Sequence, residues 1–406
     1  MTSTKFIQNK TALITLIAAC LVVLISLGVR QTFGLFFSDF KNDLDISLTE
    51  SGLAVGLQML MWGISGPIFG AIADKYGGHK AIMLAFVFYI LGIYFLYSGP
   101  NTGIFFQIDM GLLVGIGLGG TAISIPMSIV GKHFPLSNRT IAMSLVTAVG
   151  SFGYFISPMY TSYSLINNGW IHTLYIFTIF LVIGLVIAFF VRSPSLSESI
   201  EKPSDQNTMS ALKEAFKTKS YVLLTAGFFV CGFHITLVGT HVPTYVIDRG
   251  LETWTAAAIL SLIGLFNIFG SLFSGYLSTK MKKKVILAAI YALRGISICL
   301  FIFLPASNIN AFIFGASFGF LWLSTVPATS GIVAQMFGTK HLGMLYGIVF
   351  LSHQIGSFFG SFLGGLFHDI YGSYDYAWYL AIALSIFAAI IHVPIKEEPV
   401  LRLKTE

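Results

Sequence analysis

Charge is what this sequence has least of. Asp, Glu, Lys and Arg make up only 10% of its 406 residues, against about 25% in a soluble domain. Hydrophobic residues make up 55%, and mean hydropathy is +0.83. That shortage excludes a water-soluble globule and leaves a chain that crosses a bilayer many times. Cysteine is scarce as well. Cys20, Cys231 and Cys299 all lie inside apolar runs, which excludes a thiolate metal cluster and an extracellular disulfide framework. Metal-ligand histidine spacing, a nucleophile elbow and a P-loop ending in Gly-Lys-Ser/Thr are also missing, so membrane enzyme chemistry and ATP hydrolysis lack their machinery. Neither a metal nor a cofactor is expected. The first apolar run, 11–37, is too long for a signal-peptide core and has no small-residue cleavage site, so it is expected to remain as a helix.

The little charge there is has a sided arrangement. Of 23 Lys and Arg, only Lys41 and Arg249 fall in loops assigned to the outside, and Arg30 and Arg294 fall within helices. The others sit in the tails and in the alternate loops, which fixes both termini in the cytosol by the positive-inside rule. The net charge of +6 therefore belongs to topology and not to a nucleic-acid partner. At about 20 apolar residues per crossing, the spacing predicts twelve helices, at 12–38, 48–72, 79–99, 103–131, 138–163, 170–191, 220–246, 254–279, 284–305, 308–336, 342–368 and 374–394. Between the sixth and seventh, the composition turns to Ser, Pro, Glu, Asp and Lys. The expected organisation is a six-helix bundle over 1–191, a cytosolic linker over 192–219 with a short surface helix at 210–217, a second bundle over 220–394 and a cytosolic tail over 395–406.

Two stretches repeat across the halves. Gly70-Ala-Ile-Ala-Asp74-Lys75-Tyr-Gly77-Gly78-His-Lys80 is echoed by Gly275-Tyr-Leu-Ser-Thr279-Lys280 about half a chain later, and Gly150-Ser-Phe returns as Gly356-Ser-Phe. The first stretch is expected to form a tight hairpin. In it Gly70 lets two helices approach, Asp74 accepts from amides at the next helix start, Gly77 and Gly78 permit a left-handed turn, and Lys75 and Lys80 hold the loop inside. Small residues at the second repeat let helices pack backbone to backbone.

Gly-x-x-x-Asp-Lys-x-Gly and its paler copy resemble the loops between helices two and three and between eight and nine of the major facilitator superfamily. Thr240-His-Val-Pro-Thr-Tyr245, Phe337-Gly-Thr-Lys-His-Leu-Gly343 running into Tyr346, and Gly28-Val-Arg30-Gln31-Thr-Phe-Gly-Leu-Phe-Phe37 are similar to its monocarboxylate transporter and oxalate/formate antiporter branch. The resemblance implies an all-α membrane protein with twelve helices in two pseudo-symmetric bundles about a midplane cavity. It also implies gating roles for Gly70, Asp74, Lys75, Gly77 and Lys280. Asp and Arg are common in helix eight of that branch, but here the frame reads Asn267 and Ser271, and Gly111 stands where many proton-coupled relatives carry arginine.

An ionisable group in a membrane helix costs about 2.5 to 3.5 kcal/mol on insertion scales, so each needs a partner, water or a ligand. The candidates are few. Arg30 lies in the outer half of helix one, Arg294 lies within helix nine, and His234 and His353 lie near the middles of helices seven and eleven. Asp109 is the one acid placed within the bilayer. Each has a structural alternative: a snorkelling Arg30, an Arg294 bound to carbonyls near helices eight or ten, and histidines bridging helices. Gln31, Asn267 and Gln354 are polar enough to help, while Tyr245, Trp322 and Tyr346 are candidates for a cavity wall. An interior richer in cations than acids favours an anionic cargo.

The expected function is secondary active transport of a small organic anion, a monocarboxylate, with a coupling proton or a counter-substrate. The chain is expected to work as a monomer in a bacterial inner (plasma) membrane. Efflux of an amphipathic molecule is the alternative, followed by a transport-derived sensor or a membrane enzyme.

Overall fold

Inside a bilayer no water meets an unpaired amide or carbonyl, so an apolar chain satisfies its backbone by crossing as helices. The computed structural model describes residues 10–100, 102–134, 136–192, 208–338 and 341–400. Among these residues, 11 helical runs are long and apolar enough to span. One of them is two crossings. Within Leu136–Ala188, Gly169 has φ 77° and ψ 171°, a conformation that glycine adopts without a Cβ penalty. The Ser164 and Thr173 hydroxyls are 2.8 Å apart across this break, whereas nine residues of straight helix would separate them by about 13 Å.

Twelve crossings follow: α1 (Lys10–Leu44), α2 (Leu48–Tyr76), α3 (Gly78–Ser98), α4 (Gly103–His133), α5 and α6 (136–168 and 170–188), α7 (Lys219–Asp248), α8 (Thr253–Leu277), α9 (Lys283–Phe303), α10 (Asn308–Phe337), α11 (Leu342–Tyr371) and α12 (Asp375–His392). They fall into two units, Met1–Ile200 and Glu201–Glu406. Of the expected linker, 193–207 lies outside the described residues, as do 1–9 and the last six residues of the tail. Thr208–Lys217 is a short helix.

In the N-terminal unit, α1 passes through a 3-10 turn at Phe33–Phe36 and ends at Asp45, whose φ is 54°. Ser47 and Glu50 then form a reciprocal capping box that starts α2. A Cβ on Gly153 would strike the Leu24 carbonyl, so α1 and α5 meet backbone to backbone. The expected hairpin at Gly70 to Lys80 is much tighter in the structure. α2 stays helical to Tyr76 and α3 begins at Gly78, so only Gly77, at φ 99°, breaks the helix. Gly78 is therefore helical, and a Cβ on Gly70 would sit 3.7 Å from Ile125 Cδ1, an ordinary contact that does not require glycine.

In the C-terminal unit, Gly356 and Gly360 play the part of Gly153, since a Cβ on either would overlap the Phe229 or Phe233 carbonyl of α7. α10 is broken between Leu321 and Thr325. After α12 the chain folds back as a strap. The Glu397 carboxylate accepts from the Lys284 amide at 2.7 Å, Gln335 Nε2 donates to the Glu397 carbonyl at 2.6 Å, and the Val400 amide donates to the Met336 carbonyl at 3.0 Å.

Candidate functional site

In the N-terminal unit, Arg30 is a cation drawn in from the surface. It is half-buried near the end of the regular part of α1. One guanidinium nitrogen donates to Met59 Sδ at 3.1 Å, and the group lies 5.5 Å from the centre of the Trp62 ring, both on α2. From α5, Tyr154 brings its hydroxyl towards the guanidinium. Arg30 Nε and Gln31 Nε2 are buried without a partner. Among the described residues the ion pairs join Lys132 to Asp74, Lys283 to Glu397, and His368 to Asp248 and Asp369, so Arg30 has no carboxylate. This leaves a cation held by a thioether and aromatic rings, with donor capacity to spare. An acceptor oxygen, charged or neutral, would satisfy the remaining donor.

Arg294 is handled differently. It is fully buried on α9, and its Nε donates to the Leu321 carbonyl at 3.2 Å while one terminal nitrogen donates to the Leu321 and Trp322 carbonyls. The Tyr291 and Phe318 rings flank it, 5.4 and 5.8 Å from their centres. From α8, Asn267 Oδ1 accepts from the Leu323 amide at 3.0 Å, and the Ser274 hydroxyl donates to the Ser324 carbonyl. The α10 break therefore leaves backbone groups that side chains of α8 and α9 satisfy, as a break at membrane depth requires. Arg294 retains one buried terminal nitrogen, NH1, without a partner.

Several other candidates also have structural partners. His234 is fully buried, and its Nε2 donates to the Ala381 carbonyl at 2.8 Å, which ties α7 to α12. Tyr245 accepts from Arg249 at 2.7 Å and packs on Phe301 and Trp378. Trp322 is 1% exposed at the α10 break, against Phe318. His353 stacks on Phe350, with ring planes 7° apart, and its Nδ1 is 3.1 Å from Gln354 Oε1. Tyr346 lies half-buried near Phe228. Asp109 is 6% exposed in a π-helical turn, Gln107–Leu113, and a Cβ on Gly111 in that turn would press on Leu57 and Ala54 of α2.

On the loop side, Asp74 turns to Lys132 of α4, at 2.6 Å, and not to the start of α3. Lys75 lies 5.0 Å from the centre of the Tyr76 ring, and Lys280 is exposed between α8 and α9.

Sequence reasoning missed one buried relationship that recurs in both units. Ser26 Oγ is 2.7 Å from Thr121 Oγ1, and Cys231 Sγ is 3.2 Å from Thr325 Oγ1. The second pair stands 205 and 204 positions after the first. The offset already noted for the glycine motifs was the signal that would have found it. Cys231 also lies within interaction range of Arg294, Tyr291 and His353. The string Gly315-Ala-Ser317-Phe-Gly319 does spell Gly-x-Ser-x-Gly, but it lies within α10, where Ser317 bonds to Ser297 at 2.8 Å and to the Phe314 carbonyl. It lacks the strand-to-helix turn of a nucleophile elbow.

The sequence profile of the Major Facilitator Superfamily matches residues 19–325. The chain belongs to that superfamily. It is 23% identical over 361 residues to monocarboxylate transporter 13 of Rattus norvegicus, across 87% of this chain and 82% of that one. To the oxalate:formate antiporter of Oxalobacter formigenes it is 23% identical over 362 residues, across 88% and 85%. In fold it is similar to a bacterial homologue of the human lysosomal transporter Spinster, with a TM-score of 0.77 at 14% identity over 95% of this chain and 97% of that one. Superfamily membership makes this twelve-helix, multi-pass membrane protein a transporter of small molecules and not an enzyme.

Proposed function

We propose that this transporter moves a small organic anion, a monocarboxylate, by secondary active transport with alternating access, coupled to a proton or a counter-substrate. The observation that carries the reading is Arg30, a half-buried membrane cation that no carboxylate neutralises among the described residues. A carboxylate substrate would supply the missing charge, and a charge-assisted hydrogen bond of this kind contributes about 1.5 to 3 kcal/mol. Similarity to transporters named for monocarboxylates and for oxalate and formate supports the same cargo class. On this reading both termini are cytosolic and the membrane is the bacterial inner (plasma) membrane, in line with the Lys/Arg asymmetry. The test is uptake of a panel of labelled carboxylates into proteoliposomes, with and without a pH gradient. Saturable uptake of at least one carboxylate is expected. If neutral amphipathic compounds are carried while every carboxylate is ignored, amphipathic efflux replaces the anion reading.

A further inference from the structure

At the linker end of the C-terminal unit, a cavity of about 750 Å3 opens between the helix Thr208–Lys217, the first residues of α7 and the strap after α12. Its wall is well anchored. Besides the Glu397 contacts, the Lys396 amide donates to Ser220 Oγ at 2.9 Å, and Lys284 Nζ donates to the Val393 carbonyl at 2.7 Å. Four lysines line the cavity, Lys213, Lys217, Lys219 and Lys396, against two acids, Glu214 and Glu398. All four lysines are exposed, and among the described residues none of their ammonium groups takes part in an ion pair. Lys283 and Lys284 nearby are, by contrast, committed to Gln335 and to the strap.

The cavity lies where α7 begins and α12 ends, which is the level of the membrane surface for a helix pair that spans. Its helix buries Ala211 and Ala215 but leaves Met209 and Phe216 more than half exposed, as a helix lying among headgroups does. Met336 and Val400 add apolar lining beside the lysines. A soluble anion would use only the charges, whereas a lipid would use the charges for its phosphate and the apolar lining for its glycerol and chain roots.

We propose that this cavity binds the phosphate headgroup of an anionic phospholipid, tying the linker helix to the C-terminal strap. Clustered lysines beside a membrane span are attracted to anionic lipid. The test titrates the full-length protein, in neutral detergent, with phosphatidylglycerol and with phosphatidylcholine of the same chains, and counts retained lipid by native mass spectrometry. Phosphatidylglycerol should be retained preferentially. Changing the four lysines together to Gln should weaken that retention tenfold or more with phosphatidylcholine unchanged, and changing them to Arg should restore it. Glu214→Gln should strengthen it, a gain that misfolding would not produce. Equal retention of the two lipids by the parent, or unaltered phosphatidylglycerol retention by the Gln variant, overturns the site. If millimolar inorganic phosphate displaces phosphatidylglycerol completely, the pocket belongs to a soluble anion and the lipid assignment falls.

Discussion

Lys132 Nζ lies 2.6 Å from Asp74 Oδ1, joining the end of α2 to the end of α4 within the N-terminal unit. Their side chains are 48% and 68% exposed, so the pair contributes at most about 1 kcal/mol to stability. Any large effect of breaking it therefore has to come through transport. Asp74→Asn is expected to leave thermal unfolding and equilibrium substrate binding nearly unchanged while lowering turnover in proteoliposomes. The exchange Asp74→Lys with Lys132→Asp should recover part of the rate. Full turnover in the Asn variant would remove Asp74 from gating.

Arg30→Gln should weaken carboxylate binding roughly ten- to a hundredfold, the equivalent of one charge-assisted bond. Arg30→Lys should recover part of it, because the charge returns without the planar fork. Binding to the purified, folded proteins is the measurement. An Arg30→Gln protein that binds as tightly as the parent would end the anion-site assignment.

Arg294→Gln is expected to behave in the opposite way. It leaves the Leu321 and Trp322 carbonyls short of donors, at about 1 to 3 kcal/mol for each unsatisfied group. Yield and thermal stability should therefore fall before affinity does, as read by unfolding in detergent beside a binding isotherm.

Asn267 holds the other side of the same break. Asn267→Leu should lower the melting temperature by removing the acceptor for the Leu323 amide, whereas Asn267→Asp keeps an acceptor oxygen there and should melt closer to the parent.

Two glycines separate packing from motif. Gly356→Ala should abolish folded expression, since its Cβ would overlap the Phe229 carbonyl, while Gly70→Ala should be tolerated with only Ile125 nearby. Size-exclusion profiles and thermal unfolding distinguish the two outcomes. Topology can be checked in the same way: single cysteines at Lys41 and Lys213 of a cysteine-free protein should label from opposite sides of the membrane.

The helices and their order were legible because a bilayer makes hydropathy nearly sufficient to place them. What hydropathy does not encode is where a helix breaks. The π turn at Gln107–Leu113 and the interruption of α10 both fall inside runs that are long and apolar enough to read as single spans. The polar side chains were legible as unusual, but their partners were not. His234 reaches a carbonyl 147 residues away, and Asn267 reaches an amide 56 away. A polarity pattern marks such residues without saying whether backbone or substrate answers them, and here backbone answers both. Arg30, by contrast, keeps a buried donor that no group among the described residues answers.

The buried polar pair shared by the two units also bears on how far their kinship still holds. Ser26 with Thr121 and Cys231 with Thr325 occupy matching places, but at the position matching Arg294 the first half carries Tyr89, whose hydroxyl donates to the Ser26 carbonyl at 3.1 Å. Arg294→Tyr, which copies the first half's residue at this one position, would bring a phenol where the break in α10 relies on a guanidinium. At this position the two halves satisfy their backbones with different side chains, so the residue of one cannot stand in for the residue of the other.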